Sequence, residues 1–222
     1  MKENKKIVWT FSFASFLNDM GSDIIAPIWP LFITTVIGAN IAILGLIDGI
    51  GEAFVSISQA FSGYLSDKIR KRKFFIWMGY FFGAMSRVGY ALATSWKWII
   101  PFRILDRGGK MRNSPRDAMI ADASTNKNRG KNFGILRMMD NLGAVSGIII
   151  SIALISYLGY KKMFLLASIP SVAAALLVFF SIKEKRSGKI YKGLRIKNLD
   201  RNFIIFLTLS SIFAELFEVI QI

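Results

Sequence analysis

Seven apolar runs, each long enough to cross a lipid bilayer, follow one another along this 222-residue chain. They fall at 8–37, 41–66, 74–94, 98–121, 131–157, 162–182 and 203–222, with short polar segments between them. About 20 residues, rising 1.5 Å each, traverse the ~30 Å hydrocarbon core. In lipid a spanning segment must satisfy its own backbone hydrogen bonds, so such runs fold as helices. The expected fold is all-α, a polytopic membrane helical bundle. Composition agrees: 53% of residues are hydrophobic, against about 45–50% in an average soluble domain.

The polar segments alternate in charge. The N-terminus (Lys2, Lys5, Lys6), the 67–73 loop (Lys68, Arg70, Lys71, Arg72, Lys73), the 122–131 loop (Lys127, Arg129, Lys131) and the 183–202 segment are basic. The intervening turns hold only Lys97, Lys161 and Lys162. Cytoplasmic loops carry the Lys/Arg excess, so the N-terminus and the end of the sixth run are expected in the cytoplasm of a cell (plasma or inner) membrane. The net charge of +15 then points to the anionic cytoplasmic leaflet as a partner, and not to nucleic acid. The chain has neither cysteine nor histidine. Thiolate and imidazole metal sites and Ser-His or Cys-His catalysis are therefore excluded within it; no cofactor, metal or enzymatic activity is expected. Any proton carried near neutral pH must ride on a carboxylate.

Charges within the apolar runs are the functional candidates, because each costs about 2.5–3.5 kcal/mol at a helix centre and needs water or a partner. Asp19 and Asp23 in the first run, and Asp48 and Glu52 in the second, are spaced i,i+4 and share a helix face. The fourth run carries Arg103, Asp106, Arg107 and Lys110 at offsets 0, 3, 4 and 7, one stripe of a helix. Arg112 and Arg116 project to the opposite face on the same count, toward lipid phosphates or neighbouring loops. The fifth run adds Arg137, Asp140 and Asn141, while Arg87 in the third has no evident partner. These groups form either structural interhelical ion pairs or the wall of a polar cavity between the first, second, fourth and fifth helices. The glycine pairs Gly45/Gly49, Gly79/Gly83 and Gly143/Gly147 suit close helix packing.

The stretch "GYLSDKIRKRKFF" at 63–75 resembles the loop signature of the major facilitator superfamily through Gly63, Leu65 and Asp67, with Lys68, Lys71 and Arg72 at its basic positions. Arg70 stands where the signature has its second glycine. "RILDRGGKMRNSPRDAMIAD" at 103–122 resembles the family's fourth-helix signature through Arg103 and Gly109, with Asp106 in the glutamine position. "DNLGAVSGI" is similar to the fifth-helix antiporter motif through Gly143 and Gly147, although Ile148 replaces its proline. The resemblance implies the N-terminal half of a twelve-helix transporter built as two three-helix repeats. Prolines in the first run (Pro27, Pro30) and the fourth (Pro101, Pro115) fit such a repeat.

The expected organisation is a six-helix bundle at 1–182, a basic cytoplasmic linker at 183–202 and the start of a truncated seventh helix at 203–222. A C-terminal six-helix half is the expected missing partner. The resemblance further implies secondary active transport by alternating access, with proton-coupled export of a small organic solute or drug expected. An organic-anion uniporter or symporter, and a half-size protein binding partners or anionic lipid, are the alternatives. Solute or proton handling is expected at Asp19, Asp23, Asp48, Glu52, Arg103, Asp106, Arg107 and Asp140. Gly63, Asp67, Lys68, Lys71, Arg72 and Asp122 are expected to form a cytoplasmic latch, with Asp67, Lys71 and Asp122 as its charge relay. Pro115 is expected to kink the fourth helix.

Overall fold

The computed structural model describes residues 2–184 and short pieces at 200–202, 204–205 and 208–210. The seventh apolar run and the basic linker fall mostly outside the described residues. Among those described, the regular elements are all helical, joined by short turns, with no strand.

Six passes make up the bundle. The first is helix Lys2–Ile25, continued by a 3₁₀ turn Ala26–Ile28, a short helix Trp29–Leu31 and a π-turn Phe32–Val36. The interruptions fall at Pro27 and Pro30, which lack the backbone N–H that a regular helix needs. The second pass, Ile41–Ile69, begins at Asn40, whose side chain accepts the Ile43 backbone N–H at 2.9 Å and so caps the helix. It ends at Arg70, in the left-handed region with φ 57°. The third pass is Arg72–Leu92. The fifth and sixth run through a single element, Arg129–Ser181, broken at Gly159, where φ is 69° and ψ 170°. Gly159 turns the chain back on itself, because residues on both sides of it pack against the first pass. A side chain at Gly147 would collide with the Met20 carbonyl, and Gly21 lies against Ala167 and Ser171.

The fourth pass divides into helix Trp96–Gly108, a 3₁₀ turn Gly109–Arg112 and helix Asn113–Asp122. Pro115 explains the irregularity. It has no N–H to offer the Met111 carbonyl four residues back, and Ser62 of the second pass donates to that carbonyl instead, at 2.6 Å. The distortion thus precedes Pro115 by a turn.

Small residues set the helix spacing. Gly79 abuts the backbone at Gly109, and Gly143 and Gly147 abut the first pass between Phe16 and Ile24. Without a hydrophobic drive between helices in lipid, such close backbone approach supplies much of the association. Gly45 and Gly49 differ from expectation: no atom lies within 4 Å of a Cβ built at either, so their face is open. That face belongs to a helix whose large side chains, Leu46, Phe54, Ile57 and Phe61, are exposed. Among the described residues, Ile41–Ile69 and Arg129–Ser181 are long and apolar enough to cross a membrane. The first, third and fourth passes carry more charge or are interrupted.

Two apolar cores stack along the bundle. One, at the end holding the 67–73 loop, gathers Val8, Phe11, Ile76, Tyr80, Ile120, Leu136 and Val178. The other, toward the opposite end, gathers Ile24, Ile28, Trp29, Phe32, Tyr90, Ile99 and Phe164. Between the cores the first, third and fourth passes carry their polar side chains: Ser15, Asn18, Asp19, Ser22 and Asp23; Ser86 and Arg87; and Arg103, Asp106, Arg107, Lys110, Arg112 and Arg116. A charged middle layer thus lies between the two apolar cores.

Candidate functional site

The middle layer lines a partly open cavity of about 530 Å³, within the ~300–1,000 Å³ range of small-molecule sites. The first pass supplies Asn18, Asp19, Ser22, Asp23, Ile25, Ala26, Trp29 and Pro30; the second Asp48; the third Gly83, Arg87 and Tyr90; the fourth Arg103, Asp106, Arg107, Lys110 and Arg112. Five cationic side chains face four carboxylates across it.

Arg103 anchors the wall toward the Trp29 end. It pairs with Asp48 at 2.5 Å and approaches Asp106 at 3.9 Å, while its guanidinium lies 4.4 Å from the centre of the Trp29 ring. Trp29 in turn donates its indole N–H to Asp48 at 3.1 Å, and Ser86 donates to Asp106 at 3.2 Å. A planar guanidinium shared by two carboxylates and an aromatic face is a fixed arrangement that a lysine would not reproduce. One turn along, Arg107 pairs with Glu52 at 3.4 Å. Toward the other end Arg112 reaches Asp19 at 3.8 Å and stacks over Tyr80.

Of the eight residues expected to handle solute or protons, six line this cavity. Glu52 reaches it only through Arg107. Asp140 sits elsewhere, paired with Arg137 at 3.1 Å, which also contacts Asp117 at 3.4 Å. The third pass, and not the fifth, forms the remaining wall.

Arg112 and Arg116 differ most from the sequence expectation, for both are buried. A 3₁₀ stretch advances about 120° per residue instead of 100°, so the four residues Gly109–Arg112 turn Arg112 roughly 80° further round. Arg116 donates to Ser15 at 2.6 Å and pairs with Asp117 at 3.0 Å. Arg87 does find partners: Ser22 Oγ at 2.8 Å, the Ala167 carbonyl at 3.1 Å and the Asn18 carbonyl at 3.2 Å. It joins the first, third and sixth passes with no carboxylate in ion-pair range among the described residues.

A separate cluster lies at the basic end. Arg72 bridges Asp67 at 2.7 Å and Asp122 at 2.6 Å, tying the second, third and fourth passes. Arg72 therefore occupies the central place expected of Lys71, which is exposed. The helix starts at Arg72, which fixes the direction of its side chain. Lys68 lies over the Tyr64 ring, and Gly63 faces Ser114 at close range. Lys73, which had not been singled out, donates to the Phe179 carbonyl at 2.6 Å and fastens the sixth pass to this end.

Comparison with known proteins identifies relatives along most of the chain. The model of the Major Facilitator Superfamily matches residues 11–218. An uncharacterized MFS-type transporter of Methanocaldococcus jannaschii, MJ1317, is 39% identical over 219 residues, covering 96% of this chain and 54% of the relative. A second from the same organism, MJ1560, is 26% identical and covers 91% and 52%. A crystal structure of the peptide transporter POT in complex with sulfate superposes with a TM-score of 0.74 at 16% identity, covering 96% of this chain and 46% of the other. The human organic anion transporter MFSD10 superposes at 0.65 with 18% identity, covering 86% and 52%. The chain spans about half the length of these archaeal relatives.

Proposed function

The chain belongs to the major facilitator superfamily, and we propose that it forms the solute-binding wall of a secondary active transporter working by alternating access. The transporter exports a small organic solute in exchange for protons. The observation that carries this reading is the cavity of about 530 Å³ in the middle layer, set between two apolar cores and walled by charges of both signs. A layer so costly to bury in lipid is best repaid by a wet path for a polar cargo.

In this account residues 1–182 are the moving six-helix body, 183–202 a cytoplasmic connector and 203–222 the first helix of a second half, which completes the cavity. The N-terminus lies in the cytoplasm of the cell membrane, and the basic loops rest on anionic lipid. Asp19, Asp23, Asp48, Glu52, Asp106 and Asp140 are the candidate proton carriers; Arg103 and Arg107 shape the solute site by holding Asp48, Asp106 and Glu52 in place. Gly63, Asp67, Lys68, Lys71, Arg72 and Asp122 act as a latch. The Asp67–Arg72–Asp122 bridge holds the basic end closed in one state, and its loss biases the two-state equilibrium toward the other.

A second reading, an organic-anion carrier, is favoured by the five cations on the cavity wall. Flux assays in proteoliposomes of the full-length protein under an imposed pH gradient separate the two. Proton exchange predicts solute efflux that follows the gradient and is abolished by Asp19→Asn or Asp106→Asn. Efflux untouched by both substitutions overturns the cavity assignment. Anion uniport predicts gradient-independent flux of anions only.

A further inference from the structure

We infer that the cavity takes a zwitterion, a small solute with an ammonium and a carboxylate (or similar anion) flanked by an apolar group, held between Asp23 and Lys110. This rests on the transport reading and adds the chemical class of the cargo.

The inference follows from which wall charges are already satisfied. Arg103 holds Asp48 and Asp106, Arg107 holds Glu52, and Arg112 holds Asp19. Arg87 is spent on two carbonyls and the Ser22 hydroxyl. These eight groups are four cations and four carboxylates, so their charges cancel. Among the described residues, Asp23 and Lys110 are the lining charges left with no ion-pair or side-chain hydrogen-bond partner, and they are of opposite sign. The two lie more than 4.0 Å apart, so they do not satisfy each other directly.

They also sit at one level. Asp23 lies one helical turn, about 6 Å, from Asp19 along the first pass. Lys110 lies two 3₁₀ residues, about 4 Å, from Arg112 along the fourth. Because Arg112 and Asp19 are paired, Asp23 and Lys110 differ in depth by only about 2 Å. Beside Asp23 the wall turns apolar, through Ile25, Ala26, Trp29 and Pro30, with Tyr90 facing them. A ligand with one charge would satisfy one of these groups and leave the other desolvated beside it. A zwitterion satisfies both, and its apolar portion meets the exposed Ala26 and Pro30 of the cavity wall.

The test uses matched probes on the full-length protein in detergent. Leucine, phenylalanine and leucyl-leucine are compared as zwitterions, as N-acetyl anions and as amide cations, by direct binding at up to millimolar concentration. At least one zwitterion is expected to bind about 10- to 100-fold tighter than both of its singly charged analogues, the loss of one charge-assisted contact. Asp23→Asn should erase the preference over the anion alone, and Lys110→Gln the preference over the cation alone. Equal affinities within every set, or no zwitterion bound, overturns the inference, and the unmodified protein alone decides this. Counterflow with the same probes separates this from the transport reading. A zwitterion bound but never carried refutes transport and leaves the site; an analogue carried in preference to its zwitterion refutes the site and leaves transport.

Discussion

Replacing Arg87 by lysine should damage the protein more than replacing it by methionine, although lysine keeps the charge. Arg87 is 1% exposed, and its guanidinium reaches three acceptors on two other passes. Lysine carries a single ammonium on a differently directed stem and cannot span the Ala167 carbonyl, Asn18 carbonyl and Ser22 hydroxyl together. It leaves a buried cation under-coordinated, which costs about 3–5 kcal/mol. Methionine also loses the hydrogen bonds, but it relieves the desolvation of the charge. Both carbonyls sit in helices where backbone N–H groups bond them, and Ser22 can turn back to its own helix. The net loss is then about 1–2 kcal/mol, the size of a hydrogen bond or two. For a chain of this length 1 kcal/mol moves the unfolding midpoint by about 2–4 °C. Arg87→Lys should therefore lower the apparent Tm in detergent by roughly 6–20 °C and Arg87→Met by roughly 2–8 °C. A lysine variant as stable as the parent, or more stable than the methionine variant, would refute the reasoning that fork geometry outweighs charge here.

Three further outcomes follow from the packing. Arg70→Gly should raise stability by about 0.5–1 kcal/mol, read as an increase in Tm, because a left-handed residue with a Cβ is strained and glycine is not. Gly147→Val should cost about 1–3 kcal/mol or more by driving the fifth pass off the first, whereas Gly45→Ala, on the open face, should leave Tm within about 1 °C. Ser62→Ala should lower stability by about 1 kcal/mol, since the Met111 carbonyl then loses the donor that Pro115 cannot supply.

The first six passes and the existence of a charged layer were legible because both depend on periodic, local properties: run length, and the cost of charge in lipid. Asp19, Asp23, Arg103, Asp106 and Arg107 could be grouped from helical spacing alone. Arg112 could not, because the count assumed 100° per residue through Gly109–Arg112, where a proline three residues later forces a tighter turn. The "GGKMRNSP" composition was the available signal, two glycines and a proline within eight residues. Arg87 was legible as an oddity but not as a tie, since its acceptors are carbonyls, which every residue has. Asp140 was grouped with the cavity on charge alone, and only packing shows that its side of the fifth pass meets Arg137 and Asp117. The choice of Arg72 over Lys71 as the bridge depends on the residue at which the third helix starts, a boundary the pattern of basic residues leaves open.

The central claim is that the middle layer is a water-filled path reached in turn from each side. The chain has no cysteine, so a cysteine introduced into it is its one labelling site, and the unsubstituted full-length protein sets the background. Ala26 is exposed on the cavity wall, and Ile152 is exposed on the apolar flank of the fifth pass. A membrane-impermeant maleimide applied to vesicles of either orientation should label Ala26→Cys from both faces and leave Ile152→Cys untouched. Labelling of Ala26→Cys from one face only, or from neither, would contradict alternating access to this cavity.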